Sequence, residues 1–133
     1  MGMTKILNQA MKSSSRKILV LGASVNPERY SNKAIHLLLD CGFEVFAIGN
    51  KPGQVRSVNI STEKIYPTAM DTVTLYLSAK NQTEWMDYIL SLKPRRVIFN
   101  PGTENPAFEK ILREHQIQTE EACTLVMLRL GVF

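Results

Sequence analysis

The run VLGAS, residues 20–24, ends an apolar stretch in glycine and two small residues, a pattern suited to contact with a phosphate. Gly22 has no β-carbon, so the backbone there can come close to a bound diphosphate. Past it, the amides from Ser24 to a helix start near Ser31 would serve as donors, backed by the helix dipole. Three other places carry matching chemistry. Lys51 follows the apolar run FEVFAI, Ser78 ends TVTLYLS, and Asn100, Pro101 and Gly102 follow RVIF. Such small, polar or cationic residues, each just after an apolar run, suit a phosphate-bearing ligand.

Residues for covalent or acid–base chemistry are sparse. His36 falls within a helical stretch, and His115 on the inner stripe of a later one, seven residues after Phe108; both read as structural histidines. Glu120 and Glu121 are adjacent and would project differently, which makes a poor acid and base pair. The patterns G-x-S-x-G, H-E-x-x-H and G-x-x-x-x-G-K-[ST] are absent. Cys41 and Cys123 lie far apart with no CxxC or Cys/His spacing, so neither a disulfide framework nor a metal site is indicated. No catalytic residue is assigned, and Cys123 is the one reactive candidate.

The elements that must position these residues alternate between strand and helix. KILVLG, a β-branched and leucine run stopped by Gly22, reads as a buried parallel strand. Ser31 is expected to cap a helix reaching about Cys41, with Ala34, Ile35, Leu38 and Leu39 on its apolar stripe and Gly42 as the stop. FEVFAI is the second strand, closing a βαβ unit. Residues 51–71 are less regular, with a weak strand near Ile65 and Tyr66 cut off by Pro67. A strand at Thr72–Ser78, a helix at about Gln82–Leu92, a strand at Arg96–Asn100 and a helix opened by Asn105-Pro106 follow. IQTEEA reads as a last short strand, and TLVMLRLGVF as an apolar segment packed on the domain. The expectation is α/β: one domain with a doubly wound, mostly parallel five-stranded sheet and helices on both faces.

Composition agrees with one globular domain. The chain has 133 residues, 44% apolar and 21% charged, with a net charge of +4. Residues 1–15 read as a tail and residues 16–133 as the domain. Arg16-Lys17 and Arg95-Arg96 are the nearest approach to basic clusters and read as solvated strand entrances, so nucleic acid is not an expected partner. No apolar stretch is long enough for a signal peptide or a bilayer span, and a cytoplasmic protein without a membrane partner is expected.

In an open doubly wound sheet the ligand lies beyond the carboxyl ends of the strands. A carboxylate after the second strand bonds the ribose hydroxyls of NAD; this chain has Lys51 there, and no second or third glycine follows Gly22 as G-x-G-x-x-G requires. A lysine favours a phosphorylated adenosine ribose. Two cofactors carry one: NADP at the 2′ position and coenzyme A at the 3′ position.

The segment VLGASVNPERYSNKAIHLLLDCGFEVFAIGNKPGQV resembles the CoA-binding domain family, the small Rossmann-like domain also found at the amino end of the succinyl-CoA synthetase α subunit. There a strand ends in G-A-S, an N-P-x-x-x-S-type loop follows, and the second strand ends in V-N-P-K. Gly22, Ala23, Ser24, Asn26, Pro27, Arg29, Ser31 and Lys51 match, and FNPGTENP stands at the fifth-strand loop. IGNK replaces V-N-P-K, and Ala122 stands where an arginine is usual before Cys123. The resemblance implies coenzyme A or an acyl-CoA as ligand. It puts Gly22, Ala23 and Ser24 at the diphosphate, and Arg29 and Ser31 at phosphate or helix-start contacts. Lys51 falls at the 3′-phosphate, and Ser78, Asn100, Pro101 and Gly102 along the pantetheine arm. Cys123 would then stand near the pantetheine thiol, able to form a mixed disulfide with it. The phosphohistidine domain of the ligase subunit has no counterpart in the sequence, so the implied role is a non-catalytic CoA-binding module that senses, stores or presents its ligand to an unidentified protein partner. The alternative is an NADP-dependent oxidoreductase-type enzyme.

Overall fold

The computed structural model describes residues 16–133, and the expected tail at 1–15 lies outside the described residues. β1 (Lys17–Leu21) is the pivot. Its side chains alternate, Leu19 and Leu21 joining one buried cluster and Ile18 and Val20 the other, so a five-residue run fills both layers. α1 (Tyr30–Asp40) buries Ala34, Ile35 and Leu38, as the stripe predicts, and Gly42 at φ +86° turns the chain into β2 (Glu44–Ile48). The N-cap is Arg29 rather than Ser31: Arg29 has the extended conformation, and Ser31 lies buried inside the first turn.

The sheet has seven strands where five were expected. β3 (Gly53–Val55) and β4 (Val58–Ser61) form a hairpin in the stretch that reads as irregular, and β4 pairs parallel to β2. The signal is weak because both strands are short and the turn lacks the usual Asn-Gly. Arg56 takes the left-handed conformation there instead, at φ +52°, while its guanidinium bonds the His36 carbonyl and pairs with Asp40 at 2.7 Å. No strand forms at Ile65 and Tyr66. The Ile65 carbonyl accepts the Tyr88 hydroxyl and Tyr66 packs edge-on against the Tyr88 ring, so this segment straps the helix beneath it.

β5 (Met70–Leu75) ends earlier than the sequence suggests, leaving Tyr76 as the first loop residue. The expected helix at 82–92 is split into α2 (Ala79–Gln82), a 3₁₀ turn (Thr83–Trp85) and α3 (Met86–Leu92). β6 (Arg96–Phe99), α4 (Pro106–Glu114), β7 (Gln118–Glu121) and α5 (Thr124–Leu130) complete the chain. Asn105 caps α4, its side chain accepting from the Phe108 amide at 3.2 Å ahead of Pro106. His115 ends that helix exposed, its ring bonding the Ile111 carbonyl, and so is not on the inner stripe.

The strand order is β3-β4-β2-β1-β5-β6-β7, with only β3 antiparallel. The chain steps from β1 to β2 in one direction and later places β5 on the opposite side of β1, so order reverses between β1 and β5. Residues of α1 and α5 pack with Ile18 and Val20 on one face, and those of α3 and α4 with Leu19 and Leu21 on the other. Helices on both faces are thus present, as expected. No helix among the described residues is long and apolar enough to cross a membrane.

The amino-terminal edge of the sheet is not simply solvated. Asp71 receives Arg16 at 3.1 Å and Arg95 at 3.0 Å, and Arg96 is 4% exposed, its guanidinium over the Phe133 ring. Burial would raise the Asp71 pKa, but hydrogen bonds from Arg95 and Thr72 and the charge of Arg16 outweigh it and hold it at about 2, against 3.8 unperturbed. A carboxyl depressed on folding stabilises above its unfolded pKa, and that stabilisation is lost as pH falls through the folded value. Acid unfolding should therefore show stability falling between pH 3.8 and about 2. Asp71→Asn should flatten that slope and cost about 2 kcal/mol at neutral pH in urea melts.

Candidate functional site

At the reversal point a cavity of about 520 Å³ opens across the carboxyl ends of the strands. The loops after β1, β5 and β6 and the start of α1 line it, and Asn50 after β2 closes one side. Of the residues singled out in the sequence, Gly22, Ala23, Ser24, Arg29, Ser31, Ser78, Pro101 and Gly102 come together here. Lys51 is exposed beside Asn50, at the rim rather than in the lining, and has no ion-pair partner among the described residues.

The donors in this cavity are fewer than the loop's length suggests. The amides of Gly22 and Ala23 both bond the Ile48 carbonyl at 2.9 Å, tying the loop to β2. Within ASVNPERYS the Asn26 amide bonds the Ser24 hydroxyl, the Glu28 amide bonds the Asn26 side chain and the Arg29 amide bonds the Asn26 carbonyl. Ser24, Tyr30 and Ser31 keep amides with no acceptor among the described residues, the last two at the positive end of α1. The Ser24 hydroxyl accepts from Asn26 and so keeps its own hydrogen to donate. Exposed Arg29 and Lys51 supply the charge at the rim. The arrangement suits an anion with several oxygens.

Glycine matters here for two separate reasons. Gly22 sits at φ +101°, and a β-carbon on it would meet the Tyr76 carbonyl at 3.0 Å. Gly49 has ordinary dihedrals, but a β-carbon would lie 2.3 Å from the Ala23 oxygen, so the loops after β1 and β2 touch backbone to backbone.

Two buried amides hold the remaining walls. Asn100 donates from Nδ2 to Thr74 Oγ1 at 2.7 Å and to the Leu75 carbonyl at 2.8 Å, while its Oδ1 accepts the Thr124 amide at 2.8 Å. Its side-chain bonds are thus made inside the protein, and the residue itself lines the second cavity described below. Gln82, fully buried, donates to the carbonyls of Leu77 at 2.9 Å and Thr103 at 2.7 Å and accepts from Asn105. It clamps the β5 loop to the β6 loop. Gly102, at φ +91°, gives its amide to Glu104, and Ser78 accepts from the Asn81 side chain.

A second cavity of about 350 Å³ continues from the first, sharing Tyr30, Tyr76 and Pro101 and extending to Cys123, Leu125 and Val126. Tyr76 is the ridge between them. Burial pushes its phenol up to about 12, with the Thr124 and Thr74 hydroxyls beside it pulling the other way, so it stays protonated across the physiological range. Sequence reasoning missed Tyr30, Tyr76 and Gln82. Tyr76 was hidden by placing it inside a strand, whereas Gln82 carries no local signal, being one polar residue in a helical stretch. Among the described residues no group of acidic, histidine or cysteine side chains could hold a metal.

A family model for the CoA binding domain matches residues 16–129. No curated protein matches. Among solved structures, an uncharacterized protein is 47% identical over 89% of this chain and 98% of its own, with a TM-score of 0.86. A Thermus thermophilus protein is 19% identical, with 98% of each chain covered and a TM-score of 0.79. A hypothetical protein from Pyrococcus horikoshii is 24% identical over 93% of this chain and 91% of its own, with a TM-score of 0.77. The last two likenesses are of fold alone.

The Asn100 bonds yield a contrast. Asn100→Ala strands a buried carbonyl and a buried amide and should cost about 3 kcal/mol or more. The urea midpoint should fall without a change in slope. Ser78→Ala, at a half-buried position with one exposed bond, should cost less than about 1 kcal/mol.

Proposed function

The chain belongs to the CoA binding domain family, and on that premise we propose that it is a small cytoplasmic carrier that binds coenzyme A or an acyl-CoA across the carboxyl edge of its sheet and presents it to a protein partner. One observation carries the reading: the cavity at the strand-order reversal, with the Tyr30 and Ser31 amides at the start of α1 on one wall, Arg29 in its lining and Lys51 beside it, neither these amides nor these two side chains having a partner among the described residues. The diphosphate lies against the Gly22 backbone, bonded by the amide and hydroxyl of Ser24 and the amide of Ser31, with Ala23 beneath and Arg29 alongside. Lys51 meets the 3′-phosphate. The pantetheine arm runs past Ser78 and over Pro101 and Gly102, on the turn that Asn100 holds.

The protein performs no chemistry alone in this reading. Among the described residues neither cavity is lined by a histidine or a carboxylate, and of the titratable groups that do line them the Tyr76 phenol is held protonated by burial. A 2′-phosphate would also suit Lys51, which makes NADP the ligand to measure beside coenzyme A.

A charge-assisted bond is worth about 1.5–3 kcal/mol when sheltered, but Lys51 is exposed, and solvent screening moves the expectation to the low end. Calorimetry should find coenzyme A bound about five- to tenfold more tightly than 3′-dephospho-CoA and more tightly than NADP. Lys51→Ala should remove that difference and leave 3′-dephospho-CoA affinity unchanged. Equal affinities in the unaltered protein, or a preference for NADP, would overturn the assignment.

A further inference from the structure

The carboxyl edge has a direction. Its parallel strands run β4, β2, β1, β5, β6, β7, so Asn50 and Lys51 after β2 stand toward one end and Cys123 after β7 at the other. At the usual strand spacing these two places are about 19 Å apart. Lining chemistry changes along the way. The first cavity is a polar bay of backbone amides, hydroxyls and a cation, whereas the second is walled mainly by the rings of Tyr30, Tyr76 and Pro101 and the side chains of Leu125 and Val126, with Asn100, Cys123 and Arg129 as its polar members. Tyr30, Tyr76 and Pro101 belong to both, so one extended ligand can pass from the first into the second.

Coenzyme A changes in the same sense, from a phosphorylated nucleotide through an amide-bearing arm to a thiol. Laid with its 3′-phosphate at Lys51, it brings the sulfur toward β7. The thiol alone would leave most of a space of about 350 Å³ unfilled. Leu125 is buried there, and Val126 and Tyr30 keep 47% and 69% of their surfaces exposed, an apolar mouth standing open to solvent. Covering such surface is favourable in proportion to its area. Arg129, the charged member of the lining, is exposed and can remain hydrated.

We infer that the second cavity is an acyl chamber, and that the ligand is a thioester of coenzyme A carrying a short, uncharged acyl group. This rests on the coenzyme A reading above and narrows it to a ligand class. No bond is made or broken; the chamber holds the acyl chain, with Cys123 beside the thioester end.

The test compares coenzyme A, acetyl-CoA, butyryl-CoA and succinyl-CoA by calorimetry on the full chain. Affinity should rise about fourfold for each methylene buried, giving butyryl-CoA at least a tenfold advantage over coenzyme A, with acetyl-CoA between them. Succinyl-CoA, of equal length but charged, should bind more weakly than butyryl-CoA. Val126→Trp, at an exposed helical position, should fill the chamber and bring the ratio of butyryl-CoA to coenzyme A affinity to about one. Equal binding of coenzyme A and butyryl-CoA would overturn the chamber and leave the coenzyme A reading standing. So would tighter binding of succinyl-CoA, or a Val126→Trp protein that keeps its acyl preference. Failure of coenzyme A itself to bind would overturn both.

Discussion

Everything at the carboxyl edge depends on satisfying the backbone where strands end. A strand that stops inside a layered domain leaves carbonyls and amides with no ladder partner, and burying them unbonded is costly. Asn100 and Gln82 resolve this with one amide group each. Asn100 joins the end of β5, its own turn after β6 and the first amide of α5. Gln82 joins the loops after β5 and β6. The turns can then be short, and a cavity can open between them without either wall collapsing into it. These bonds leave backbone elsewhere free to face ligand, so the polar skeleton and the binding surface are two sides of the same loops.

Much of this plan is legible in the residues themselves. Short β-branched runs ended by glycine or asparagine give the parallel strands, and the helix after β1 follows from Ala34, Ile35 and Leu38. The strand-end rule then brings Gly22, Ser24, Ser78 and Gly102 to one edge although they are far apart in the chain. What escapes has a common cause. The β3–β4 hairpin is held by Arg56 reaching back to α1, a long-range contact that leaves no trace in local periodicity. The same holds for Arg96, whose place at a strand entrance suggests hydration but which is buried under Phe133. Asn100 has a double part that type and position alone do not show: it lines the second cavity while its side chain bonds Thr74, the Leu75 carbonyl and the Thr124 amide.

The free donors raise a related point about loop sequences. ASVNPERYS contains eight residues able to offer an amide, and Asn26 alone organises three of them through its side chain and backbone. Its internal bonding fixes which amides remain without an acceptor among the described residues; of these, Tyr30 and Ser31 stand at the start of α1, where the helix dipole adds to them. The number of donors the loop can offer is therefore set by how it satisfies itself rather than by how many polar groups it contains.

The backbone contact between Gly49 and Ala23 has a kinetic meaning. With the Ala23 oxygen where a β-carbon at Gly49 would stand, the segment carrying Lys51 is locked to the loop after β1 before any ligand arrives. Little conformational freedom remains there to be lost on association. An anion bound as proposed would dock onto a finished surface, with long-range attraction between opposite charges setting its speed and ionic strength its brake.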